Sequence, residues 1–435
     1  MSTPAEHAIR ALGIDAGTSG IRVVALDRAG QLRGHWRVAL PSPSVDGPRV
    51  FQDPGVWAEA LDALMVTVAK QADLSALAAI AIDGTSGTVL PVDAVSGAVL
   101  GPALMYNDRR AIRQAARIGA GAPPESGAHG AGSSLAKWLW MASEQALGPN
   151  AVPAHQADWL LTRWLAGDGQ VQSDENNALK LGYDPVQRRW PGWLDAFLPE
   201  EARPQVHVPG AVVGAMDRAV CRRLGLPAGV CLVAGTTDSI AGVHALGVAE
   251  PGEAVTSLGS TLAVKLVSDR PVFDPACGVY SHRFGCRFLV GGASNTGGAV
   301  LGRFFDPPAL ARLSAKINPA RASCLDYYPL NAPGERFPVN DPDLRPRLSP
   351  RPRDDARFLQ GMFEAMARIE RSGYRRLAAL GAPAVQHVRT VGGGAANPVW
   401  TAIRQRVLGV PVSACPEAEA AKGAARLALS AVDRM

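Results

Sequence analysis

The stretch Ala8–Asp27, AIRALGIDAGTSGIRVVALD, decides the fold. Ala8 to Asp15 is an apolar run that ends at an acid, and Ala16–Gly20 (AGTSG) is a turn of small residues. Ile21 to Asp27 is β-branched and apolar, so the reading is strand, tight turn, strand. Asp27–Gly30 (DRAG) predicts another turn, and Gln31–Val38 a third antiparallel strand. Further out, Asp53 is suited to cap a helix with Pro54 in its first turn. Val56, Trp57, Ala60, Leu61, Leu64, Met65 and Val68 then recur at helical spacing. Ala78–Asp83 (AAIAID) reads as a buried strand before the small-residue turn Gly84–Gly87. Strands, then a helix, then another strand predict an α/β architecture.

The plan returns after Pro227. Gly229–Ala234 (GVCLVA) reads as an apolar strand, and Gly235–Ser239 (GTTDS) as a polar turn carrying an acid. Ala254–Leu258 and Leu262–Val267 predict a hairpin around Gly259-Ser260-Thr261. This similarity of pattern predicts two related domains, 1–228 and 229–435. Between them, Leu135–Ala146 and Ala157–Ala166 read as Trp-rich helices. Trp138, Trp159 and Trp164 suit either core packing or stacking on a sugar, and core is the commoner use. Near the C-terminus, Asp355–Leu380 reads as a helix stopped at Gly381, and Val388–Val391 leads into Gly392–Asn397. Pro398 opens the next helix, and a last one is expected from Glu417 to the end.

Composition narrows the function. The 435 residues allow two or three domains, and 47% hydrophobic content disfavours disorder. The net charge of +5 comes from scattered Arg, without the long basic run or aromatic interleaving of a nucleic-acid binder. No apolar run reaches the roughly 18 residues of a membrane helix. The opening residues show no basic stretch followed by an apolar one, so a cytoplasmic location is expected. Six cysteines without a CxxC pair predict buried free thiols, and eight His without HExxH give no metal motif. A homodimer is compatible with the sequence.

Three Gly/Ser/Thr loops remain: Asp15–Gly20, Leu258–Thr261 and Gly392–Asn397. Each suits a plain turn. Together they suit phosphate, which needs backbone N–H donors and no bulky side chain in the way. No Gly-Lys dipeptide occurs, so there is no P-loop, and both GxGxxG and GxSxG are missing. Asp15 and Asp238 each follow an apolar strand. Such acids can satisfy turn N–H groups, or they can act on a metal and on an attacking hydroxyl, as phosphoryl transfer requires.

The stretches GIDAGTSGIRVVALD, AIDGTSGTVLPVD, GPALMYNDRRA, AGTTDSIAGVHALG, VTSLGSTLAVKL, SNTGGAVLGRFF and VGGGAANPVW, in this order, resemble the FGGY carbohydrate kinases. The resemblance implies an α/β fold of two RNase H-like domains, of the actin, hexokinase and Hsp70 type, with a cleft between them. It implies a sugar kinase using ATP and Mg²⁺, with Asp15 near the metal and Gly17, Thr18 and Ser19 at the first phosphate loop. Gly259, Ser260 and Thr261 would form the second phosphate loop. Gly393, Gly394, Ala395 and Asn397 would border the adenosine. Asp238 would be the catalytic base, and Asp83, Gly84 and Thr85 would contact the sugar, together with Asp15, Thr18 and Asp238. Many xylulokinases carry Met-His-Gly where this chain has Asp83-Gly84-Thr85. With the chain's compact length, this resembles the D-ribulokinase-like group. It implies transfer to the C5 hydroxyl of D-ribulose, with D-xylulose second. A polyol kinase and a non-catalytic ATP- or sugar-binding module of the same fold are the alternatives. Asn107, Asp108 and Arg109 suit either the sugar site or a solvated helix start.

Overall fold

Ile9–Ala16 (β1) and Gly20–Asp27 (β2) form an antiparallel hairpin in the computed structural model, which describes residues 7–145, 147–167, 170–415 and 419–434. Leu32–Ala39 (β3) extends it as expected. Ala79–Gly84 (β4) pairs with β1 in parallel, buried along its whole length, as its unbroken apolar run requires. Val212–Ala215 (β5) and Cys231–Val233 (β6) complete a sheet of order β5-β6-β4-β1-β2-β3. Helix α1 (Pro54–Gln71) starts where its cap predicts, with Gly55 N donating to Asp53 at 2.9 Å. It buries Trp57, Leu61, Leu64, Met65 and Val68 in the core that also holds Leu12, Ile14 and Ile82. Each such side chain, fully buried, stabilises the fold by about 1.5–3 kcal/mol.

The second sheet repeats the first. Glu253–Leu258 (β7), Leu262–Ser268 (β8), Tyr280–Phe284 (β9), Arg287–Ser294 (β10), His387–Val391 (β11) and Val412–Ala414 (β12) lie in the order β9-β10-β8-β7-β11-β12. Three strands, β7, β8 and β10, run antiparallel in succession, and β11 and β12 then add in parallel beside β7. That is the arrangement of β1, β2, β3, β4 and β6. Both sheets therefore have the RNase H-like plan.

The compact units part at a different place from the expected 228/229 division. One comprises Met1–Gly247 with Glu419–Met435, the other Val248–Ala418. The strand expected to open the second domain, β6, pairs in parallel with β4 and so closes the first sheet. Helix Asp238–Leu246 (α2) stays with it. The final helix, Ala420–Val432, returns to the first unit for a steric reason. Its Ala421, Ala424, Ala425 and Ala428 pack with Ala11, Ala79, Ala81 and Val233 on the face away from α1. A Cβ on Gly13 would stand 2.0 Å from the Ala421 carbonyl oxygen and the Ala425 nitrogen, so only glycine permits this approach. Glu417, the expected start of that helix, lies outside the described residues, as does Ala146 at the expected end of an earlier one.

Candidate functional site

In the first unit, the parallel register sets Asp15 of β1 directly opposite Asp83 of β4. The C-terminal ends of parallel strands are the usual ligand edge of an open α/β sheet. Arg22 of β2 pairs with Asp15 at 2.9 Å. Asp83 is fully buried, and neither of its oxygens has a hydrogen-bond partner among the described residues. Burial, and then the Asp15 carboxylate beside it, push Asp83 well above the usual carboxylate range, with Asp238 and Asp174 adding to the effect. Burial also raises Asp15, against the pull of Arg22. Two buried carboxylates side by side call for a proton or a cation between them.

Asp238 arrives at this edge by a third route. The chain leaves β6 through Gly235, where a Cβ would stand 1.9 Å from the Ile82 carbonyl oxygen. The close approach lets Thr237 bridge to Gly84, and Asp238 then opens α2 half-buried. Asn176 Nδ2 donates to Thr236 Oγ1 at 3.0 Å and so ties the GTTDS turn to a second segment.

The turn after β4 is built differently from the expectation. Thr85 donates from its N–H and its hydroxyl to Gln156 Oε1, at 3.1 and 2.9 Å, and its hydroxyl lies 2.5 Å from that of Thr88. Asp83, Gly84 and Thr85 are buried, so Ser86 is the more accessible member of the turn. Lys137 Nζ, fully buried, donates to the carbonyls of Gly87 and Met105 at 2.8 and 2.7 Å, and burial lowers its pKa to about 7. The loop at Gly17–Ser19 is closed by Gly17 N–H donating to the Gly20 carbonyl at 3.1 Å. Thr18 there is half-buried and Ser19 exposed.

Sequence reasoning missed Gln156, Asp174, Asn176 and Lys180. Residues 172–179 are all buried although their sequence, QSDENNAL, looks solvated. Burial and neighbouring Asp158 raise Asp174 to about 7. Nothing local distinguishes such a run from a surface loop.

In the second unit, the other two loops meet at one cavity of about 810 Å³, a volume typical of a small-molecule site. Gly259 and Ser260 line it from the β7–β8 turn, and Gly393, Gly394 and Asn397 from the loop after β11. Gly392 has φ +83, and a Cβ on Gly394 would meet Leu258 Cβ at 2.7 Å. These glycines let the second loop lie against the end of β7. Asn397 caps helix Pro398–Leu408 (α3), accepting from Trp400 N at 3.0 Å, and its Nδ2 reaches Ser314 Oγ at 2.8 Å. Trp400 stacks on Phe363 with ring centres 4.7 Å apart, and both line the cavity. Beneath them, Arg404 of α3 and Glu370 form a buried pair at 2.6 Å that holds the helix in place. Two residues depart from the expectation. Ala395 is buried away from the cavity and Ala396 lines it instead, while Thr261 is exposed beside Ser260 and outside the lining.

Other expectations resolve by burial. Trp138, Trp159 and Trp164 belong to the first core. Asp108 is buried, accepting from Val50 N at 2.7 Å and pairing with Arg110, whereas Asn107 and Arg109 are exposed. The six cysteines are free, but the expectation that they are buried fails at Cys286, in an exposed hairpin turn, and at Cys324. Among the described residues no helix is long and apolar enough to cross a membrane. No group of three or more His, Cys, Asp or Glu is arranged for a metal among them.

Comparison with known proteins covers nearly the whole chain. The model of the "FGGY family of carbohydrate kinases, N-terminal domain" matches residues 10–245, and that of the C-terminal domain matches residues 254–432. The chain is 26% identical over 418 residues to a xylulose kinase of Escherichia coli (strain K12), covering 89% of this chain and 83% of that one. A xyloylose kinase from Brucella ovis has a TM-score of 0.87 at 25% identity, over 98% of this chain and 91% of that one. The xylulose kinase of Rhodospirillum rubrum shares the fold, with a TM-score of 0.86 at 22% identity over 98% and 90% of the two chains.

Proposed function

Because the chain belongs to the FGGY family of carbohydrate kinases, we propose that it transfers the γ-phosphate of ATP to the C5 hydroxyl of a ketopentose, D-ribulose or D-xylulose. The observation that carries this reading is the position of Asp238. The Gly84–Thr237 bridge brings it to the same sheet edge as the buried Asp15–Asp83 pair. A half-buried carboxylate at the start of a helix suits a general base. Asp238 would take the proton of the C5 hydroxyl as its oxygen attacks phosphorus, and ADP leaves with the bond electrons.

The remaining residues have supporting roles in this proposal. Asp15 would hold Mg²⁺, and the orphaned oxygens of Asp83 beside it fit a cation there, since Mg²⁺ takes one or two carboxylates and completes its shell with water and phosphate. When bound, the metal neutralises charge on the phosphates. Gly17, Thr18 and Ser19 offer backbone and hydroxyl donors to the phosphates. Gly259, Ser260, Gly393, Gly394, Ala396 and Asn397 would surround the nucleotide, with Thr261 exposed beside Ser260 at the cavity's edge and Ala395 buried as support for its loop. Relatives named xylulose kinase support D-xylulose, and the Asp83-Gly84-Thr85 turn supports D-ribulose. The test is coupled ADP release over a panel of ketopentoses, aldopentoses and polyols. Asp238→Asn is expected to lose about 10²–10⁴-fold in kcat. Equal ADP release with and without sugar would refute the reading.

A further inference from the structure

Lys180 belongs to none of the motifs that carry the family resemblance, yet it reaches the site. It lies in the single 3₁₀ turn Leu179–Leu181, at the end of the buried polar run. Its side chain passes directly over Gly87, which has φ +87. A Cβ on Gly87 would stand 3.1 Å from Lys180 Cδ and 3.2 Å from Nζ, so a side chain there would crowd the lysine. The glycine thus serves both the backbone turn and the passage of the ammonium.

The ammonium is under-used by the protein. Among the described residues it makes one long hydrogen bond, 3.3 Å to the Ser86 carbonyl, although it carries three donors. Lys137 is the contrasting case, since it is fully buried and donates to two carbonyls at normal distances. Lys180 is only half-buried. Burial disfavours its charge, and Asp238 is the carboxylate that favours it. The lysine therefore stands at the accessible part of the turn, Ser86, which follows the Gly84 that Thr237 bridges just before Asp238.

We propose that Lys180 positions the acceptor: its ammonium donates to hydroxyl oxygens of a sugar held over the Ser86–Gly87 turn and so presents the reacting hydroxyl to Asp238. This rests on the kinase reading above and adds to it a cationic contact for a neutral, hydroxyl-rich acceptor. A hydrogen bond from a charged donor to such an oxygen sets the size of the effect.

The test compares wild type, Lys180→Met and Lys180→Ala by steady-state kinetics against the best acceptor and against MgATP, with thermal melts of each. The expected result is a loss of about 10- to 100-fold in acceptor kcat/KM, carried mainly by KM. The KM for MgATP stays within about twofold, because the expected effect is confined to the acceptor. Added ethylammonium, which replaces the lost cation, is expected to restore part of the Lys180→Ala loss. A folded Lys180→Met whose acceptor kcat/KM stays within about threefold of wild type overturns the proposal. So does an equal rise of both KM values with a lowered melt and no rescue, since that assigns Lys180 to holding the turn. Wild type inactive on every acceptor overturns the kinase reading and this proposal together. An active wild type beside an unaffected Lys180→Met overturns this proposal alone.

Discussion

Gly235→Ala tests the steric logic that delivers Asp238 to the site. The new Cβ would lie 1.9 Å from the Ile82 carbonyl oxygen and 2.7 Å from its carbon. Heavy atoms pack well at about 3.5–4.0 Å, so the strand exit must move outward by about 1.5 Å. The neighbour is backbone of the central strand β4, which cannot turn aside as a side chain could. Overpacking of this kind costs about 1–3 kcal/mol. At roughly 2–4 °C per kcal/mol for a domain of about 250 residues, the melting temperature falls by several degrees. The larger effect is on chemistry. The displacement passes through the Thr237–Gly84 bridge to Asp238. A misplacement of about 1 Å at a reacting group can cost 10²-fold, so kcat is expected to fall by about that factor with the KM for MgATP unchanged. Gly242→Ala is the control. Nothing lies within 4 Å of its Cβ, and it sits inside α2. It should raise stability by about 0.5–1 kcal/mol through helix propensity and leave kcat alone. Coupled ADP release and thermal melts read both variants. A Gly235→Ala protein with wild-type melt and kcat within about threefold would refute the reasoning.

Two more outcomes follow from the same structure. Burial, and then the positive charge of Arg426, hold His244 neutral with a pKa of about 4, against about 6.5 in the unfolded chain. The unfolded state binds the extra proton first, so stability is present above pH 6.5 and is lost as pH falls toward 4. The loss is on the order of 3 kcal/mol, and urea melts of His244→Leu should lack this part of the acid limb. In the second unit, Gly394→Ala would press on Leu258 and Trp400 at 2.7 and 2.8 Å and shift the loop that lines the cavity. The KM for MgATP should rise about tenfold, equivalent to about 1.4 kcal/mol, with the acceptor KM unmoved. An unchanged KM for MgATP would remove that cavity from nucleotide binding.

Much of the candidate site was legible because its chemistry constrains residue type locally. The turns at Gly17–Ser19 and Gly259–Thr261 and the loop Gly392–Asn397 all carry small residues where donors or close backbone approach are needed. Asp15 is legible as an acid ending an apolar strand, and Asp238 as an acid in the turn that follows one. Asp83 was legible as the acid ending a buried strand, but its burial against Asp15 was not, because the pair is made by a parallel register between distant strands. Gln156 bonds Thr85 across 71 positions and Lys180 reaches Ser86 across 94. At such separations a single sequence carries no periodic signal, and a buried polar run looks the same as a solvated one.

The sequence by itself determined the local elements. Hydrophobic period, the cap at Asp53, Pro398 at a helix start, and glycines at turns set where strands and helices begin and end, since those depend on neighbours within a few residues. Tertiary structure alone decided which unit each element joins. Cys231–Val233 reads as the start of a second domain until it pairs with β4. The final Ala-rich helix reads as the end of that domain until its small face fits against Gly13. Strand pairing and close packing are satisfied by partners hundreds of residues away, so shape complementarity in three dimensions chose them, and with them the position of Asp238.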